Sequence, residues 1–102
     1  MISKYDIWLA EVRFSEIEET KVRPVLILDQ IKNEVLCLRM TSKLPQTADD
    51  YEIVYWKEAG LFKQTVINTT LRLRLERNKL ISRIGALHDS DRILMQIRHQ
   101  VI

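Results

Sequence analysis

Residues Lys21 to Leu28, Lys-Val-Arg-Pro-Val-Leu-Ile-Leu, constrain the fold more than any other stretch of the chain. Val25 to Leu28 is an unbroken apolar, β-rich run, the pattern of a strand buried on both faces. Pro24 has a fixed φ and no N–H to donate, which predicts a strand's first residue or an edge. It also drives Arg23 out of the α region into extended geometry. A guanidinium is thus mounted at the mouth of a stiff strand. By the period of two, Lys21 and Arg23 lie on one side of that entry and Val22 on the other. Two roles stay open for Arg23 at this level. It can close the end of a sheet or pair with a carboxylate, or it can present charge to a ligand.

The flanking segments predict more strands. Ile7 to Val12, with Trp8 inside it, forms the first, and Phe14 to Lys21 a polar loop made acidic by Glu16, Glu18 and Glu19. Val22 to Leu28 is the second. Asp29 to Asn33 is turn-like, with Asn33 the candidate for a left-handed position. Glu34 to Thr41 is the third strand, hairpinned to the second, with Leu36, Leu38 and Met40 on one face and Cys37, Arg39 and Thr41 on the other. Ser42 to Asp50, containing Pro45, is a loop, and Tyr51 to Tyr55 another short strand. Trp56 to Leu61 suits one helical turn closed by Gly60.

Thr65 to Asn68 and Leu71 to Leu75 read as one strand with a bend. Its Leu71, Leu73 and Leu75 point inward, and Arg72 and Arg74 outward. Asn78 to Gly85 fits a short helical turn followed by an extended piece. A helix capped by Asp89 or Ser90 runs to about Gln100, with Ile93, Leu94, Ile97 and Val101 as its buried stripe. Asp89 and Asp91 at its start and Arg98 and His99 near its end suit the helix dipole. Several short antiparallel strands followed by one helix predict a mainly β protein, a small barrel with a C-terminal helix.

Composition narrows the classes. A chain of 102 residues, 46% hydrophobic and 29% charged, fits a single globular domain over 1–102. A net charge of +2 permits an anionic partner without requiring one. Cys37 is the one cysteine and lies in an apolar run, which predicts an inert core thiol and no internal disulfide. No apolar run approaches the ~18 residues that cross a bilayer, and Met1 to Asp6 lacks a signal-peptide core. The expectation is a cytoplasmic protein without membrane attachment. No His/Cys/Asp/Glu spacing points to a metal, and no glycine-rich phosphate loop is present. Trp8 and Trp56 read as core or interface residues rather than base-stacking platforms, and His88 and His99 as helix-end residues.

The ordered landmarks resemble one family. Asp6-Ile7-Trp8-Leu9-Ala10, the Lys21–Leu28 stretch and Met40-Thr41-Ser42 are similar to the opening signatures of MazF/PemK toxins. Ala59-Gly60-Leu61, the strand near Thr65 and Ile84-Gly85-Ala86-Leu87 before a last helix continue in the same order. The resemblance implies an SH3-like barrel of the MazF/CcdB type, a homodimer, and a toxin paired with a small acidic antitoxin. It further implies a metal- and cofactor-independent endoribonuclease cutting single-stranded RNA at short sequences, through 2′-OH attack that leaves a 2′,3′-cyclic phosphate and a 5′-OH. By position the catalytic arginine falls on Arg23 and the catalytic threonine on Thr41, with Ser42 in support. Lys21, Arg39 and Lys43, together with Arg72 and Arg74, are the candidates for holding the RNA backbone.

The chain departs from the family in two places. A histidine that some members carry before the arginine falls near Ile17, amid Glu16, Glu18 and Glu19. A later Arg/Asp pair falls near Asn68 and Thr70. Two rival readings therefore stand beside the ribonuclease. One is a CcdB-like poison that grips a protein such as DNA gyrase. The other is a non-catalytic barrel serving as an interaction module.

Overall fold

The structure, a computed structural model, describes residues 1–14 and 19–101. Its elements are β1 (Asp6–Phe14), β2 (Glu19–Ile31), β3 (Glu34–Thr41), β4 (Asp50–Glu52), β5 (Val66–Glu76), a 3-10 turn at Arg77–Lys79, β6 (Leu80–Ala86) and α1 (Asp89–His99). The strands form one antiparallel sheet in the order β4-β5-β3-β2-β1-β6. β4 and β6 are the edges, so the sheet curls like a barrel without closing. Among the described residues no helix is long and apolar enough to cross a membrane.

The Val25–Leu28 run is apolar throughout because both faces of β2 are covered. Leu26 and Leu28 join Ile7, Leu38, Met40, Tyr51 and Met95 in one cluster. Val25 and Ile27 join Ala10, Val12, Val35 and Cys37 in the other. The same alternation runs along β3, where Leu38 and Met40 face the first cluster and Cys37 the second. Burial pushes the Cys37 thiol up to about 12, which keeps it protonated and unreactive. Trp8 and Trp56 are partly buried against the two clusters, as expected of packing residues.

β2 is longer than its apolar run at both ends. Its pairing with β1 continues from Ile7↔Leu26 to Phe14↔Glu19, and its hairpin with β3 closes at Ile31↔Glu34. The left-handed turn residue is Lys32, at φ 56, rather than Asn33. Pro24 lies inside β2 rather than at its start. The ladder to β3 ends at Val25↔Arg39, so a residue without an N–H removes no rung there.

β5 is one strand with a bend, as the two apolar runs predict. Between Leu38↔Arg72 and Met40↔Ile67 it has more residues than β3 opposite it. The Asn68 side chain fills the bulge: its Oδ1 accepts from the N–H of Thr70 at 3.3 Å, the Thr70 hydroxyl at 3.2 Å and the N–H of Leu71 at 3.3 Å. The bulge turns Leu71 outward, so the inward leucine row is only Leu73 and Leu75.

The helix is rotated so that only part of the predicted stripe meets the core: Leu94 and Val101 pack there as expected. Ile93 and Ile97 are exposed, whereas Asp91 and Met95 are buried. The Asp91 carboxylate sets this rotation. It accepts from the Tyr51 hydroxyl at 2.6 Å, the Val54 N–H at 2.9 Å and the Tyr55 N–H at 2.8 Å. Burial, then the bond to Asp91 and its charge, push the Tyr51 hydroxyl above its ordinary range, so it remains a donor. The N-cap is His88, whose Nδ1 accepts from the Ser90 N–H at 3.1 Å, in place of Asp89 or Ser90.

The only two glycines in the sequence meet in space. Gly60 closes the turn after Trp56 at φ 93. The Gly60 N–H donates to the Lys57 carbonyl and the Leu61 N–H to the Trp56 carbonyl, both at 3.0 Å, the paired bonds of a left-handed C-terminal closure. A Cβ on Gly85 would run into the Ala59 carbonyl oxygen and lie 3.6 Å from the Gly60 Cα. Gly85→Ala must therefore separate the turn from β6. It is expected to destabilise the protein by about 1–3 kcal/mol, read as a lower denaturation midpoint at unchanged slope.

Asp6 anchors the start of β1. Its carboxylate accepts from the Ser3 N–H at 2.9 Å, Arg83 at 3.2 Å and the Trp8 indole at 3.5 Å. Burial alone would raise its pKa, but these bonds and the Arg83 charge outweigh burial and hold it below 3.8. A depressed folded-state value means the carboxylate stabilises the fold above ~pH 4 and loses that contribution as pH falls through the folded value. The stability gap between wild type and Asp6→Asn is expected to be full at neutral pH and to shrink below 3.8. Denaturation series at several pH values read this directly, and a gap independent of pH would contradict it.

Candidate active-site groove

Arg23 stands where β2 leaves the core. Val25 to Leu28 are buried and Pro24 is half-buried, while Arg23 and Val22 are exposed. The β2–β3 register pairs Leu26 with Leu38 and Val25 with Arg39. The ladder ends there, two residues from Arg23 on β2 and two from Thr41, the last residue of β3. The two side chains border the same space. A groove of about 450 Å³ is lined by Arg23, Pro24, Met40, Thr41, Ser42, Lys43, Phe62 and Lys63, among others. A second, of about 460 Å³, shares Arg23, Thr41 and Lys43 and adds Lys21, Arg39, Gln46, Asp50 and Asn68.

The arginine is steered by its own strand. Its Nη1 donates to the Val22 carbonyl at 3.1 Å, which leaves most of the guanidinium's donors available to a ligand. Thr41 Oγ1 accepts from the Lys43 N–H at 3.2 Å. That bond uses a lone pair and leaves the hydroxyl proton to donate. Lys21, Arg23, Arg39, Lys43 and Lys63 give the two connected grooves a basic lining. Lys21 also lies 3.9 Å from Glu19. Asp50 is the one carboxylate lining them among the described residues. Its Oδ2 is occupied by the N–H groups of Gln46 at 2.7 Å and Thr47 at 3.2 Å.

Six of the eight residues singled out from the sequence meet here: Lys21, Arg23, Arg39, Thr41, Ser42 and Lys43. Arg72 and Arg74 do not. Their partners Leu38 and Leu36 lie progressively further from Thr41 along β3. Arg72 borders a separate depression with Lys4 and Asp29, and Arg74 sits 3.9 Å from Glu34. Glu16, Ile17 and Glu18 of the acidic loop lie outside the described residues. Neither histidine lines the grooves. His88 caps α1 and stacks on Tyr55 at 4.3 Å, and His99 meets Tyr51 edge-on at 6.0 Å.

The sequence did not single out Phe62, Lys63, Gln46 or Asp50 for the site. Gln46 lies on the loop before β4 and Asp50 is the first residue of β4, while Phe62 and Lys63 lie on the loop before β5. The pairs Thr41↔Val66 and Asp50↔Asn68 bring these segments alongside Thr41. Among the described residues no group of three His, Cys, Asp or Glu side chains is placed to hold a metal ion.

Residues 3–101 match the family described as PemK-like, MazF-like toxins of type II toxin–antitoxin systems. The chain belongs to that family. No curated protein sequence gives a significant match. Solved MazF-type structures share the fold at low identity. A Mycobacterium tuberculosis toxin, MazF-mt6, superposes with a TM-score of 0.72 at 20% identity, over 92% of this chain and 91% of that one. A mycobacterial endoribonuclease in complex with its cognate antitoxin gives 0.76 at 10% identity, over 97% and 91%. A chain of a Deinococcus radiodurans MazE–MazF structure gives 0.69 at 12%, over 97% and 93%. The MazF-like fold thus persists although few residues are shared.

Proposed function

We propose that this MazF-like toxin is an endoribonuclease for single-stranded RNA that uses Arg23 and Thr41 on the scissile phosphate. Arg23 and Thr41 bordering one basic groove is the observation that supports this reading most strongly. The RNA supplies its own nucleophile. Its 2′-OH loses a proton and attacks the adjacent phosphorus, the P–O5′ bond breaks, and the 5′-oxygen leaves with a proton. The products are a 2′,3′-cyclic phosphate and a 5′-OH.

Negative charge grows on the non-bridging oxygens as that happens, so a pre-placed cationic fork favours the transition state over the ground state. The Arg23 guanidinium has the shape for this task, since its parallel N–H groups match two phosphate oxygens. The Thr41 hydroxyl donates to the same phosphate, and Ser42 supports it from the next position. Lys21, Arg39 and Lys43 hold the flanking backbone. The requirement for a 2′-OH excludes DNA as substrate, and the scheme calls on no divalent ion.

Two mycobacterial relatives of this fold are endoribonucleases, one of them bound to its antitoxin. This supports a partner that covers the basic groove, which would be acidic for charge complementarity. Assembly as a homodimer, one copy of 1–102 per subunit, completes the reading.

The test is cleavage of a long unstructured RNA by the purified protein. Wild type should cut it in the presence of EDTA. Arg23→Ala should be slower by about 100- to 1,000-fold, the loss typical of removing a transition-state donor, and Thr41→Ala less severely impaired. Expression of wild type without a partner should arrest growth, and Arg23→Ala should relieve the arrest. RNA left intact by folded wild-type protein would overturn the proposal. Growth arrest that survives Arg23→Ala would point instead to a protein target.

A further inference from the structure

We infer that Phe62 is a stacking platform for a nucleobase beside the scissile phosphate, an assignment that rests on the ribonuclease reading above. The Phe62 side chain is 97% exposed. One exposed apolar residue is ordinary on a protein surface; its position is not. The ring borders the same groove as Arg23, Thr41 and Ser42.

The segment that carries it is anchored on both sides. Leu61 donates its N–H to the Trp56 carbonyl at 3.0 Å and packs against the core. The Gln64 side chain donates to the Ile53 carbonyl and the Thr65 hydroxyl to the Lys63 carbonyl, both at 2.8 Å. Phe62 therefore stands on a fixed backbone, and only its own rotamer must be ordered on binding. Three cations line the same groove, Lys63 next to it in sequence, Lys43 and Arg23, among apolar residues such as Val22 and Pro24. Aromatic rings interleaved with cations are how proteins hold single-stranded nucleic acid, the cations taking phosphates and the rings taking base faces. A stacking ring accepts any base, so Phe62 contributes affinity and placement of the strand more than sequence choice.

The test uses wild type, Phe62→Ala, Phe62→Leu and Phe62→Trp with two probes. One is a labelled 2′-O-methyl RNA of mixed sequence, which cannot be cleaved, and the other is inorganic polyphosphate. Phe62→Ala and Phe62→Leu should weaken RNA binding by about 5- to 150-fold, the range for one lost base stack. They should leave polyphosphate binding and the denaturation midpoint unchanged. Phe62→Trp should restore RNA affinity, with its fluorescence quenched on binding. On cleavable RNA the loss should appear mainly in KM.

Wild-type cleavage with RNA affinity unchanged by Phe62→Ala would overturn this inference and leave the ribonuclease reading standing. A wild type that neither binds nor cuts RNA would overturn both. A Phe62→Ala variant that alters sedimentation of the protein but not RNA affinity would show that the ring meets a second copy of the chain, and would also overturn it.

Discussion

The antiparallel ladder between β2 and β3 is the constraint on which the rest of the structure depends. Val25, Leu26 and Ile27 face Arg39, Leu38 and Cys37 in unbroken register, and each of these β2 residues is buried. A slip of one residue would exchange the two faces of either strand. Because both faces are packed, that slip would misplace large side chains in two clusters at once. The register is therefore strongly specified, and with it the relation of Arg23 to Thr41 just beyond its end. Pro24 then fixes the direction in which the chain leaves the core. The arrangement of charge and hydroxyl in the groove is thus a consequence of core packing.

A second set of contacts supports the other wall of the groove. Asp91 joins α1 to Tyr51 of β4 and to the backbone at Val54 and Tyr55. The turn that follows is held against β6 by the approach of Gly60 to Ile84 and of Gly85 to Ala59. From that turn the chain runs into Phe62 and Lys63 and then into β5. The helix lies away from the groove, yet it sets where this segment stands. Asn68 acts in the same way from the other direction. By latching the bulge of β5 it allows one strand to pair with the Thr41 end of β3 while its distal half carries Arg72 and Arg74 elsewhere.

Much of this was legible in the sequence, and the rest was not for identifiable reasons. β3 is readable because its alternation is sharp and both ends are marked by polar residues. The bend of β5 is readable because Asn68-Thr69-Thr70 interrupts two apolar runs. The buried face of α1 is legible only in part. Leu94 and Val101 pack on the core, but hydrophobic spacing also favours Ile93 and Ile97, whereas the helix is turned by a carboxylate whose donors lie about forty residues away in the chain. The ends of β2 are underestimated because polar residues there are held by pairing with β1 and β3, which local pattern does not encode. In the groove, Arg23 stands out beside one proline at a strand's entry, whereas Thr41 and Ser42 are reached only through the resemblance to MazF/PemK toxins. Phe62 and Lys63 carry no local signal; only the folded chain brings them to that wall.

The central claim is that the groove promotes attack by the RNA's own 2′-oxygen, with Arg23 and Thr41 on the phosphate. Mass spectrometry of the ends left on a cleaved RNA tests this most directly. The account predicts a 2′,3′-cyclic phosphate on one fragment, a free 5′-hydroxyl on the other, and no cut where the single nucleotide preceding the break carries 2′-deoxyribose. Fragments ending in a 3′-hydroxyl and a 5′-phosphate would contradict it, because they require water rather than the sugar as the nucleophile.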